Sequence, residues 1–178
     1  VGAGAIGSCI ARIARGHGMR TVGIRRDPTK PNPDFDSLHN LNELDDLLPG
    51  SHVVVLSLPS TPGTENLFSR KQFDRMPERG IFINVGRGSH VNEDALAEVL
   101  ASGNLQGAGC DAFKVEPLPE DSPLWNSGNM IVSPHCAGSI GDYLDRAMAI
   151  FIMERAFFCR TAWSISVFSS PWSAGSNQ

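Results

Sequence analysis

Residues that could do chemistry fall in four short segments of this 178-residue chain: VGAGAIG at 1–7, NVGRGSHV at 84–91, DAFKVEPLPEDSPLW at 111–125 and SPHCAGS at 133–139. In the first, Gly2, Gly4 and Gly7 have G-x-G-x-x-G spacing. The first glycine permits a tight turn, the second lets backbone approach a pyrophosphate, and the third lets helix and strand pack closely. A helix opening there adds free N–H donors and a partial positive charge for phosphates. Ile6, Ile10 and Ile13 follow at helical spacing and mark a candidate buried face. Alone this signal is weak, because Gly-rich turns arise by chance; the alternation of strand and helix after it favours a dinucleotide site.

Some 20 residues on, such a site needs a group for the ribose: an acid for the 2′-hydroxyl of NAD, or an Arg for the 2′-phosphate of NADP. The segment reads TVGIRRDP, so Arg25 and Arg26 stand where the acid is expected. Two guanidiniums suit a phosphate through charge-assisted bonds, which favours NADP. NAD remains the alternative, with Asp27 displaced by two positions to take the acid's part.

Arg87, between Gly86 and Gly88, follows a β-prone run, at a strand end where open α/β sheets place ligands. Its fork can pair with a carboxylate and polarise an adjacent ketone. The flanking glycines predict room for close approach of a nicotinamide ring. His135 also follows a short β-prone run and can deliver a proton to a forming alkoxide. Glu116 precedes it by 19 residues; a carboxylate bonded to the imidazole would orient it and favour its charged form. Singly, His135 reads as structural and Glu116 as surface; with Arg87 they read as a triad. His17, His39, His52 and His90 match no motif and read as surface or structural, and Cys136 is given no chemistry.

The elements that must carry these groups alternate along the chain. Strands are expected at Thr21–Ile24, 52–58, 81–85, 107–111 and 130–133. Helices are expected at Leu41–Leu48, at 69–76 with a Ser69/Gln72 capping box, and at 92–103 with Asn92 as cap and Gly103 as stop. A longer amphipathic helix is predicted over 142–158, with Leu144, Ala147, Met148, Phe151 and Ile152 on one face. The unbroken run HVVVLSL suits a strand covered on both faces. The pattern predicts an α/β fold, a doubly wound parallel sheet over residues 1–158. The Pro- and acid-rich loop at 112–129 is long enough to be functional. The uncharged tail at 159–178 reads as irregular.

Composition agrees with one globular domain. The net charge of −4 argues against a nucleic-acid partner. The longest apolar stretch, AMAIFIM at 147–153, falls far short of the roughly 20 residues of a membrane span. Cys9, Cys110, Cys136 and Cys159 form no CxxC pair or zinc spacing, so no metal is expected. They read as buried free thiols of a reducing compartment, with the cytoplasm as default.

Over residues 1 to about 155 the four ordered segments resemble the D-isomer-specific 2-hydroxyacid dehydrogenases. Within that family the chain looks most like the NADPH-using glyoxylate and hydroxypyruvate reductases, chiefly through Arg25 and Arg26. The resemblance implies a Rossmann-type NAD(P)-binding domain, a small 2-keto acid as substrate, and a homodimer at full length. It implies catalysis by Arg87, Glu116 and His135. It further implies pyrophosphate contacts from Ala5 and Ile6, adenosine contacts from Leu58 and Pro59, and Thr64 near the phosphates. Val85, Arg87 and Asp111 would flank the nicotinamide, Asp111 bonding its carboxamide, with Ala137 and Gly138 in the same pocket as His135.

Against that family pattern, the separate substrate-binding domain and most of the first strand are missing, and the end after about residue 155 resembles nothing known. These departures predict that the 178 residues are part of a longer chain or an incomplete product. Two other functions stay open: a non-catalytic dinucleotide-binding fragment or cofactor-sensing regulator, and an NAD-linked relative acting on formate or phosphite. An intact His–Glu pair weighs against formate, whose oxidation needs no proton donor.

Overall fold

The computed structural model describes residues 1–138, and Val1–Ala137 form one compact unit. The helix expected at 142–158, the tail from 159 and Cys159 lie outside the described residues. Six strands form: β1 (Val22–Ile24), β2 (Ser37–His39), β3 (Val53–Leu56), β4 (Gly80–Asn84), β5 (Leu105–Cys110) and β6 (Met130–Val132), all but β2 on β-branched or glycine-bearing runs. Every pairing is parallel. Strands β3-β4-β5-β6 make one sheet in that order, and β1-β2 make a second.

Residues Val1–Ala3 bridge the two sheets. Gly2 and Ala3 both donate N–H to Ile24 O at 2.9 Å, while Ser57 N donates to Val1 O at 2.9 Å. The spatial order is therefore β2, β1, the opening residues, then β3 to β6. This is the doubly wound arrangement, with Val1–Ala3 in the central place between β1 and β3. The glycine turn that follows sits at the switch point, where such sheets bind ligands.

Of the helices, α1 (Ala5–Gly16) follows the glycine turn. The short α2 (Leu44–Leu47) lies between two 3₁₀ turns that together span 41–50, as the sequence predicts for 41–48. The short α3 (Arg70–Phe73) starts at Ser69, whose N–H and hydroxyl both donate to Gln72 Oε1. Finally α4 (Glu93–Ala101) is capped by Asn92, which accepts from Ala95 N at 2.9 Å. Beneath α3 and α4, the rings of Phe68, Phe73 and Phe82 meet at centroid distances of 5.0–5.6 Å, and all three are buried. Tilted and edge-to-face packing of this kind suits aromatic quadrupoles. Phe82 anchors this core to the middle of β4, opposite Val54 of β3.

Four details differ from the sequence expectations. Ile6 and Ile13 are exposed, whereas Ser8 and Ala11 are the buried positions of α1. Small residues face inward because the helix lies too close to the glycine turn for branched side chains; a Cβ on Gly7 would stand 2.3 Å from Gly2 O. Cys9 and Cys136 are exposed free thiols, while Cys110 is buried, and burial pushes its thiol up to about 12. Strand β2 carries no apolar run that would announce it. Strand β3 alternates rather than being covered on both faces: Val54 and Leu56 are buried, Val55 is half-buried and Val53 is exposed.

Candidate active site

Steric demands explain the spacing of the glycine loop. Gly2 has φ +100°, and a Cβ there would stand 2.7 Å from the Ser57 backbone. Gly4, by contrast, has open space where its Cβ would point, and it caps α1 with no side-chain bond. The first turn of α1 holds no acidic residue, so its N–H groups and partial positive charge face that opening. An anionic pyrophosphate fits this cradle. Ala5 and Ile6 supply the first-turn backbone, and Leu58 lies against Gly2, its N 2.9 Å from where a Cβ would be.

Arg25 follows Ile24, whose carbonyl holds the glycine turn, so β1 delivers both arginines beside the loop. Neither enters an ion pair among the described residues. Asp27 instead turns on its own segment. Its Oδ1 accepts from Thr29 N (3.2 Å) and Thr29 Oγ1 (2.5 Å), and Lys30 lies 3.9 Å from Oδ2. Thr64 is buried, and its hydroxyl is used within the 59–64 turn, accepting from Thr61 N at 2.9 Å.

The loop after β4 holds Arg87 by bonds the sequence did not announce. Asn84, fully buried at the strand end, accepts from Gly86 N (3.0 Å) through Oδ1 and donates through Nδ2 to Arg87 O (3.0 Å). His90, also fully buried, accepts from Arg87 N at 3.2 Å through Nδ1, and its Nε2 meets Pro59 O at 3.3 Å. Arg87 itself is exposed, with Nη1 donating to Gly86 O at 2.7 Å. The space left by the flanking glycines is filled by protein, contrary to the sequence expectation of room for a cofactor ring. A Cβ on Gly88 would stand 1.8 Å from Phe113 C, and one on Gly86 3.1 Å from His90 Nδ1. These close approaches lock the Arg87 loop onto the loop that carries Glu116.

Glu116 and His135 meet in the structure. His135 Nδ1 lies 2.8 Å from Glu116 Oε2 and 3.0 Å from Oε1, and Oε1 also accepts from Phe113 N at 2.9 Å. His135 has φ +51°, a region a non-glycine residue enters only when its surroundings force it. Asp111 does the forcing: its carboxylate accepts from Ser133 Oγ (2.6 Å), Cys136 N (2.9 Å) and Ala137 N (2.9 Å), on both sides of the histidine. Burial alone would push the Asp111 carboxyl up, but the bonds from Ser133, Ala137 and Cys136 outweigh it and hold it below the usual range.

Arg87, Glu116 and His135 line a single cleft with Ser60, Ser89 and Lys114. Val85, Asp111 and Ala137 share an adjoining depression along β4, β5 and β6. Gly138 lies outside the compact unit Val1–Ala137. Sequence reading missed Asn84, His90 and Ser133. A polar residue closing the apolar run IFIN was the available signal for Asn84.

The bond to His135, helped by that from Phe113 and by the nearby Arg87 charge, holds the Glu116 carboxyl below its ordinary value. A depressed carboxylate contributes stability that is complete above the unfolded value and lost as pH falls through the folded one. The Glu116–His135 pair is therefore expected to persist to below about pH 4.3, the ordinary glutamate value. Carbon-13 titration of the Glu116 carboxyl checks this, and a midpoint at or above that value contradicts it.

Residues 1–137 match the family described as D-isomer specific 2-hydroxyacid dehydrogenase, NAD binding domain. Glyoxylate/hydroxypyruvate reductase B of Pectobacterium carotovorum is 41% identical over 137 residues, covering 76% of this chain and 42% of its own. A D-isomer-specific 2-hydroxyacid dehydrogenase family protein from Aeromonas salmonicida superposes with a TM-score of 0.78 at 36% identity, covering 90% of this chain and 51% of its own. A D-isomer-specific 2-hydroxyacid dehydrogenase from Xanthobacter autotrophicus, solved with NADPH and MES, gives 0.72 at 38% identity over 84% and 60%. The chain thus spans less than half the length of the curated reductase it matches. Among the described residues no helix is long and apolar enough to cross a membrane.

Proposed function

This chain belongs to the D-isomer-specific 2-hydroxyacid dehydrogenases, as their nicotinamide-dinucleotide-binding domain, and from that premise we propose that it serves NADPH-dependent reduction of a small 2-keto acid, glyoxylate or hydroxypyruvate. The observation that carries this reading is the convergence of Arg87 and the Glu116–His135 pair on one cleft. A bound nicotinamide ring supplies the hydride. Arg87 pairs with the substrate carboxylate and draws electron density from the ketone. His135 donates its Nε2 proton to the oxygen that becomes the hydroxyl, while Glu116, 2.8 Å from Nδ1, aims the ring. Gly4, Ala5 and Ile6 receive the pyrophosphate, and Leu58 and Pro59 border the adenosine half. Val85 and Asp111 flank the nicotinamide; Asp111 Oδ2 accepts one N–H in the structure and retains a lone pair for the carboxamide.

Preference for NADPH rests on Arg25 and Arg26, which enter no ion pair among the described residues, and on the engagement of Asp27 within its own turn. The test is oxidation of NADPH and NADH in parallel with glyoxylate and hydroxypyruvate. Faster turnover with NADPH is expected. Replacing Arg25 and Arg26 together with Ala should lower kcat/KM for NADPH roughly tenfold and leave NADH nearly unchanged, since bonds to a charged phosphate are lost. Preference for NADH contradicts the assignment of the arginines. Oxidation of neither favours the non-catalytic nucleotide-binding reading.

A further inference from the structure

His90 is fully buried, and nothing in the proposed chemistry calls for an imidazole at that place. Its two ring nitrogens have different partners. Nδ1 faces Arg87 N–H at 3.2 Å, so Nδ1 is a bare acceptor. Nε2 faces Pro59 O at 3.3 Å, so Nε2 carries the proton. Gly86 lies against the same ring, where a Cβ would stand 3.1 Å from Nδ1. The ring thus ties the loop after β3, which starts against the glycine turn at Ser57 and Leu58, to the loop after β4, which carries the guanidinium.

We infer that His90 is a positioning residue for the reducing site, acting as the neutral Nε2–H tautomer that fixes the Arg87 backbone relative to Pro59. The inference rests on reading Arg87 as the clamp for the substrate carboxylate. A guanidinium on a long side chain is accurate only if its backbone is held, and Arg87 is held at three points: Asn84 on its carbonyl, His90 on its amide, and the close fit of Gly88 against Phe113. Of these, the amide bond alone depends on the protonation state of a side chain. A second proton on the ring would set N–H against the Arg87 N–H and break that link. The charged group facing the ring is Arg87 itself, which also disfavours a charged imidazole; burial acts in the same direction and more strongly.

Nitrogen-15 spectra of the ring, amide hydrogen exchange at Arg87, and binding of oxamate to the NADPH-saturated chain test this together. Expected are a bare Nδ1 and a protonated Nε2 in the neutral chain. In His90→Leu, which lacks both partners, Arg87 amide exchange should quicken at least tenfold and oxamate affinity should fall about tenfold, with NADPH affinity within twofold. His90→Asn places an acceptor where Nδ1 stands and should bring both back to within about threefold of the unaltered chain. A protonated Nδ1, or unchanged Arg87 exchange in His90→Leu, overturns the inference. Should His90→Leu fail to fold, the tautomer and the His90→Asn exchange still decide it. Failure of the reductase reading shows differently: the unaltered chain would neither bind oxamate nor turn over a 2-keto acid, whatever the tautomer.

Discussion

Replacing His135 with Gln is expected to slow 2-keto acid reduction by roughly 10²–10⁴-fold, the usual worth of a positioned general acid, with NADPH affinity changed less than twofold. Gln keeps hydrogen-bonding capacity toward Glu116 but has no proton to give to the forming alkoxide. The effect should fall on the chemical step, because the imidazole is held by Glu116 at 2.8 and 3.0 Å and its backbone by a turn whose flanks are tied to Asp111. That turn survives the substitution: its bonds come from Ser133 Oγ, Cys136 N and Ala137 N, none of them part of the imidazole. Single-turnover measurement at saturating NADPH and 2-keto acid separates this from a binding defect. A decrease in rate smaller than tenfold, or a loss of NADPH binding of the same size, would remove His135 from the chemistry.

Gly7→Val is expected to weaken NADPH binding on the order of 100-fold, since forcing extra bulk against fixed backbone costs up to about 3 kcal/mol. The obstruction is specific. A Cβ on Gly7 would stand 2.3 Å from Gly2 O and 3.2 Å from Gly2 C, so helix α1 must move away from the turn that aims its N-terminus. Gly4→Ala offers the contrast, because no atom lies within 4 Å of its Cβ position in the structure. Its effect comes from filling the space kept for the ligand, leaving the fold intact. Equilibrium titration of NADPH fluorescence on the two variants, with denaturant unfolding alongside, checks both. The expectation is a stability loss in Gly7→Val that Gly4→Ala does not share.

What the sequence revealed and concealed follows from how far apart the cooperating residues lie. The glycine turn, the Asn92 cap and the Ser69–Gln72 box act across a few residues, so their spacing was readable and the structure has them. Glu116 and His135 lie 19 residues apart and were paired through the chemistry they share rather than through any local pattern. Asp111 was expected at the nicotinamide, but its bonds to Ser133 and Ala137 reach 22 and 26 residues along the chain, beyond what spacing can suggest. His90 read as surface or structural because nothing in its neighbours signals that Pro59, 31 residues earlier, closes over it. Strand β2 is three half-buried residues paired on β1, a pairing that supplies order without an apolar run. Helical spacing at Ile6, Ile10 and Ile13 correctly marked a helix, yet periodicity cannot say which side a glycine turn will crowd. The inward face went to Ser8 and Ala11 instead.

In the proposed function, Arg87, His135 and the glycine cradle serve one reacting carbon. A crystal structure of the chain with NADPH and oxamate tests it most directly. Expected are the pyrophosphate at Gly4 and the first turn of α1, the oxamate carboxylate on the Arg87 guanidinium, and its carbonyl oxygen within hydrogen-bond reach of His135 Nε2. Nicotinamide C4 should lie roughly 3–3.5 Å from the carbonyl carbon, the separation of a reactive pair. Oxamate bound away from Arg87, or a nicotinamide ring directed away from the cleft between Arg87 and His135, would contradict it.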